Sequence, residues 1–138
     1  MRICIDSNQF IFGIAGADAD AERLMMLLPR LNVRIPRLVL KEVTRNLNPT
    51  NVKVLYTLLG GAPDVAIIDE PVPPVFVAKY LQLGLREKGD AFIGAFAEWQ
   101  QVDYLISDNR HFLSELSKTT FRVLTPERFL KQNFPNET

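Results

Sequence analysis

Residues 2–6 read Arg-Ile-Cys-Ile-Asp, a short apolar run closed by a carboxylate. A run this brief, without helical spacing, reads as a buried strand. Similar runs follow at 33–36, at Val65-Ala66-Ile67-Ile68, at Tyr104-Leu105-Ile106-Ser107 and at Phe121-Arg122-Val123-Leu124. Between them, apolar spacing and capping residues predict helices over 8–15, 18–29, 37–47, 51–59, 74–86, 90–101, 109–117 and 126–132. Asn48-Pro49 is read as ending the third of these helices, and Gly89 as the break between the fifth and sixth. Short apolar strands alternating with helices specify an α/β protein built on a central, mainly parallel sheet of about five strands. Such sheets bind ligands beyond the carboxyl ends of their strands, near the point where strand order reverses.

The chain's 138 residues fit one domain over 1–138, with a core over about 2–130 and a short C-terminal tail. With 47% apolar and 23% charged residues it reads as a globular protein and not a disordered one. Cys4 and His111 are the only residues of their kinds, which excludes an internal disulfide, a cysteine-based zinc cluster and His-rich metal motifs. Sixteen basic and 16 acidic residues balance to a net charge of zero, so bulk charge alone would not hold a nucleic acid. No apolar run approaches the roughly 20 residues of a membrane span. Asp6 interrupts any signal-peptide apolar region, so the expected setting is cytoplasmic, with no membrane partner. Walker and GxGxxG loops are absent, which leaves nucleotide-cofactor binding without a motif.

The carboxylates are the informative residues. Asp6 ends the first strand, Asp108 follows the fourth, Asp90 opens an apolar helix, and Glu42 sits within an otherwise apolar helical stretch. Each has a plain structural alternative: Asp6, Asp90 and Asp108 are good helix caps, and Glu42 suits a solvated helix face. Together, two acids at strand ends and one at a helix start are placed to converge. Converging carboxylates repel, so they must bind a cation or take up protons. Oxygen ligands without Cys or His suit Mg²⁺ or Mn²⁺. Ions so held activate water and stabilise the transition state of phosphodiester hydrolysis. Setting the four acids aside leaves 12 acidic against 16 basic residues, a mildly basic remainder. Arg37, Lys41 and Arg45 fall four apart on one helix, and Arg86, Lys88 and Arg110 lie beside Asp90 and Asp108. They read either as a solvated face or as contacts for the phosphates of a nucleic acid.

Four stretches, in order and spacing, resemble the PIN domain: Ile-Asp-Ser-Asn at 5–8, the mid-helix Glu42, Gly-Asp-Ala-Phe-Ile-Gly-Ala-Phe-Ala at 89–97, and Leu-Ile-Ser-Asp-Asn-Arg-His-Phe at 105–112. The resemblance spans residue 2 to about 130. It implies a three-layer α/β/α sandwich and a Mg²⁺- or Mn²⁺-dependent endoribonuclease, with Asp6, Glu42, Asp90 and Asp108 as catalytic, metal-holding acids. It also implies Asn8 and Ser107 as polar flanks of that site. Ser7 stands where the family usually has Thr, and Asp103 is an alternative fourth acid at the wrong end of its strand. Many small prokaryotic members are VapC-like toxins, so the resemblance further implies an RNA substrate, an antitoxin partner and a homodimer. Products should carry a 5′-phosphate and a 3′-hydroxyl. The alternative is a PIN-like module that binds RNA or protein without cutting. A haloacid-dehalogenase phosphatase is set aside because its second Asp is here Asn8, and a receiver domain because Cys4 and Ile5 precede Asp6.

Phe92, Phe96 and Trp99 are expected in the core or at a dimer contact, Cys4 inside the sheet, and Met25 and Met26 in core or partner surface. His111 is expected at the surface and not as a general base.

Overall fold

The computed structural model of the chain describes residues 1–85, 88–109, 112 and 119–136. The chain runs β1 (Arg2–Ile5), α1 (Ser7–Ala15), α2 (Ala19–Met26), a 3₁₀ turn (Leu28–Arg30), β2 (Asn32–Pro36), α3 (Arg37–Arg45), α4 (Pro49–Gly60) and β3 (Val65–Ile68). It continues with α5 (Pro74–Gln82), α6 (Lys88–Trp99), β4 (Tyr104–Ile106), β5 (Arg122–Leu124) and α7 (Pro126–Asn133). The helix expected over 109–117 falls mostly outside the described residues, as do Arg86, Arg110 and His111, and the side chain of Lys88 is not described.

All five described strands are parallel, in the order β3-β2-β1-β4-β5. The chain therefore builds outward from β1 through β2 to β3, then returns to the other side of β1 to lay down β4 and β5. That reversal puts the switch point between β1 and β4, where Ile3 pairs with Tyr104 and Ile5 with Ile106. The fold is an α/β arrangement built on this central parallel sheet. α1 packs on α2, α3 and α4, and α2 on α7, while α5 pairs with α6.

Both faces of the central strands are covered, so β1 carries no polar alternation. Ile3, Cys4 and Ile5 are all buried, as are Leu105 and Ile106 beside them. Burying each of the large side chains contributes roughly 1.5–3 kcal/mol. Helix α6 is buried on nearly every side, through Ala91, Ile93, Ala95, Phe96 and Ala97. Phe96 stacks on Phe92 and meets the edge of Trp99, and Met25 is buried whereas Met26 is exposed.

Helix boundaries differ from the sequence reading at three places. Asn48-Pro49 opens α4 and does not close α3: the Asn48 side chain accepts from the Asn51 N–H, and Pro49 takes the first helical position, where no N–H is needed. Helix α5 stops at Gln82 because Gly84 adopts φ +94°, a conformation open to glycine. Gly89 lies inside α6, so Asp90 is in the first turn and not at the cap.

Candidate functional site

β1 ends at Ile5 and the chain turns directly into α1, with Asp6 at the junction. Asp6 does cap the helix, since its Oδ1 accepts from the Ser7 N–H at 2.8 Å. Its Oδ2 accepts from the Ser107 Oγ–H at 2.8 Å, and its own N–H donates to the Ile106 carbonyl at 3.0 Å. Ser107, fully buried at the end of β4, in turn accepts from the Asn109 N–H at 3.0 Å. The ends of β1 and β4 are thus laced together at the switch point.

Two helices bring further acids to this edge. Buried Val39, Leu40 and Val43 seat α3 on the core and leave Glu42 exposed beside the strand ends. The first turn of α6 supplies Asp90, whose Oδ1 accepts from Asn109 Nδ2 at 3.2 Å. Asp6, Asn8, Glu42, Asp90 and Asn109 line one cleft of about 270 Å³, with Leu38 and Phe92 among its walls. Burial raises the Asp6 pKa. The hydrogen bonds from Ser107 and Ser7 oppose that rise, and the Glu42 and Asp90 carboxylates add to it.

The donors facing this cleft are carboxylate and carboxamide oxygens, the chemistry that hard divalent ions prefer. Among the described residues, no three His, Cys, Asp or Glu side chains stand ready as a complete ligand set. Repelling carboxylates do not close up without a counter-charge, and exposed Glu42 has the rotamer freedom to do so when one is present. The residues fit such an ion by charge and donor type.

Asp108 is the correction. It is exposed, and its Oδ2 accepts from Gln9 Nε2 at 3.0 Å, so it does not line the cleft. Just past the end of β4, Ser107 bonds Asp6 and Asn109 bonds Asp90, while Asp108 between them bonds Gln9. Of the four expected carboxylates, three line the cleft, together with the carboxamide of Asn109. Asp103 sits at the opposite sheet edge, accepting from the Arg2 N–H at 2.8 Å.

The basic stripe of Arg37, Lys41 and Arg45 is exposed, but none of the three lines the cleft. Arg37 is committed to Asp69, with contacts of 2.7 and 3.2 Å, and the guanidinium holds that carboxyl below its usual range.

Sequence reasoning missed two participants. Asn109 is neutral, so a reading that looked for carboxylates passed over it. Gln9 gave no signal, because its meaning depends on a residue 99 positions away. Gln9 is buried, and among the described residues its Oε1 has no hydrogen-bond partner. A stranded buried acceptor costs about 1–3 kcal/mol.

An apolar groove of about 350 Å³ adjoins the cleft. Leu38, Gly89 and Phe92 line both, and Val77 and Leu81 complete the groove. Leu38 and Leu81 are 50% and 45% exposed.

Solved structures share this architecture. The VapBC2 structure from Rickettsia felis, bound to a DNA fragment from its promoter, matches with a TM-score of 0.68 at 18% identity, over 91% of this chain and 98% of that one. A toxin–antitoxin complex from Klebsiella pneumoniae matches with a TM-score of 0.64 at 18% identity, over 90% and 97% of the two chains. FitAcB from Neisseria gonorrhoeae matches with a TM-score of 0.58 at 19% identity, over 91% and 98%. The chain has a PIN-like, VapC-like fold. No protein-family model and no curated protein sequence matches it. In this PIN-like fold the carboxylate cleft occupies the switch point between β1 and β4. Among the described residues no helix is long and apolar enough to cross a membrane.

Proposed function

We propose that the protein is a metal-dependent endoribonuclease that hydrolyses RNA phosphodiester bonds, acting as the toxin of a toxin–antitoxin pair. The observation that carries this reading is the meeting of Asp6, Glu42 and Asp90, from three different elements, in one polar cleft at the switch point. In the proposed site these three carboxylates hold Mg²⁺ or Mn²⁺, which would supply charge neutralisation and an activated water. Ser107 orients Asp6 by donating to Oδ2, and Asn109 orients Asp90 by donating to Oδ1. Burial raises the Asp6 pKa, and an ion held there would favour its ionised, ligating form. Exposed Asn8 lies on the cleft wall, within reach of a substrate phosphate or sugar. Lys41 and Arg45 would meet phosphates away from the cleft.

The same reading includes an antitoxin, and the surface suits one of definite chemistry. A segment with an apolar face would cover Leu38, Val77, Leu81 and Phe92, and an Arg or Lys at its end would enter the acidic cleft. A homodimer is the proposed assembly.

The test is incubation with a structured RNA mixture in Mn²⁺, Mg²⁺ or EDTA, beside a folded Asp90→Asn variant. The expected outcome is metal-dependent cleavage leaving 5′-phosphates, absent in the variant. Equal cleavage by both proteins would overturn the assignment. Metal and RNA binding without cleavage would favour a non-cutting module.

A further inference from the structure

We propose that Gln9 is a positioning residue of the cleft: by holding Asp108 outward it turns Asn109 inward, and so sets the carboxylate of Asp90. The inference rests on the nuclease reading above. Gln9 lies in the first turn of α1, is 1% exposed, and donates through Nε2 to Asp108 Oδ2 at 3.0 Å. Only the amide's N–H side can face a carboxylate, so the side chain's orientation is fixed and its Oε1 is left buried without a donor. Leucine would fill the same space and strand nothing. Packing therefore does not account for an amide here, whereas the hold on Asp108 does.

The segment 107–109 is pinned at two successive residues. Ser107 is tied to Asp6 and Asp108 to Gln9. With those two fixed to the start of α1, Asn109 has its N–H on Ser107 Oγ and its carboxamide on Asp90 Oδ1. One Asp90 oxygen is thereby occupied by a donor and the direction of the other is set. Partners of ligating carboxylates act on the ion in this way, without touching it.

The test is Mn²⁺ titration of the whole chain by calorimetry without RNA, paired with thermal melting. The variants are Gln9→Leu, Asp108→Ala, the double variant and Asp108→Asn. Gln9→Leu is expected to melt at or above the wild-type temperature yet bind Mn²⁺ about tenfold more weakly. Asp108→Ala should show the same loss, and the double variant no further one, since both remove one interaction. Asp108→Asn keeps an acceptor for Gln9 and should stay within about twofold of wild type. Undiminished Mn²⁺ affinity in Gln9→Leu would overturn the inference alone. So would an Asp108→Asn as damaging as Asp108→Ala, because the carboxylate itself would then be the ligand. If Gln9→Leu does not fold, the two exposed-site variants still decide. Wild-type protein that binds no Mn²⁺ at millimolar concentration would overturn the nuclease reading and the inference with it.

Discussion

At the scale of single residues, the Asp6 carboxyl is raised in pKa by burial, then by Glu42 and Asp90. A carboxyl whose folded pKa exceeds its unfolded value binds its proton more tightly when folded. Metal-free stability from this group is therefore greatest at low pH, falls as pH rises from the ordinary carboxylate range through the raised folded value, and is flat above it. Melting temperature against pH should show that fall in wild type and a smaller one in Asp6→Asn, which has no such proton to lose. Ion binding runs the other way, because the ligand must be ionised. Mn²⁺ affinity should weaken as pH drops through the same range, and a pH-independent affinity would remove Asp6 from the ligand set. Cys4, directly behind the site, is held as a neutral thiol by burial and should resist alkylation in the folded protein.

At the scale of elements, helices approach closely at two glycines. A Cβ at Gly13 would lie 2.6 Å from the Ala21 carbonyl oxygen, so α1 and α2 touch through backbone that cannot give way. Gly13→Ala should destabilise by about 1–3 kcal/mol, measurable as a lower denaturant midpoint. At Gly94 of α6 a Cβ would meet the Tyr80 ring at 2.6 Å. Tyr80 is fully buried and donates to Glu98 Oε1 at 3.0 Å, so it cannot swing aside freely. Gly94→Ala should push α5 from α6 and displace Asp90 at the head of α6. The expected result is a stability loss of similar size, about 1–3 kcal/mol, and weaker Mn²⁺ binding. Loss of stability with unchanged Mn²⁺ affinity would uncouple that packing from the site.

At the scale of the whole molecule, a net charge of zero means that the salt dependence of RNA affinity should report local phosphate contacts and not bulk charge. Within that dependence the stripe on α3 divides. Lys41→Ala should lower binding to all RNA sequences alike and reduce the salt slope by about 0.7, the value for one lost single-strand phosphate contact. Arg37→Ala should do less, because Asp69 already neutralises that guanidinium. Equal effects from the two, measured by filter binding across salt, would mean that RNA displaces Asp69.

The fold was legible because buried parallel strands must be short apolar runs, and β1, β3 and β4 are such runs in the sequence. The positions of Asp6 at a strand end and of Glu42 and Asp90 on helices followed from the same local pattern. What the chain could not show locally was direction and partnership. Whether Asp108 or Asn109 enters the cleft is decided just past the end of β4, where Asp108 meets Gln9, 99 positions earlier, and Asn109 meets Asp90. The stop of α5 at Gly84 and the opening of α4 by Asn48-Pro49 were ambiguous for a related reason, since Gly and Pro mark a boundary without saying which element owns it. Apolar periodicity and strand-end acids are properties of neighbouring residues and survive in one dimension. The choice of which side chains face one another is a property of packing, and only the tertiary structure decides it.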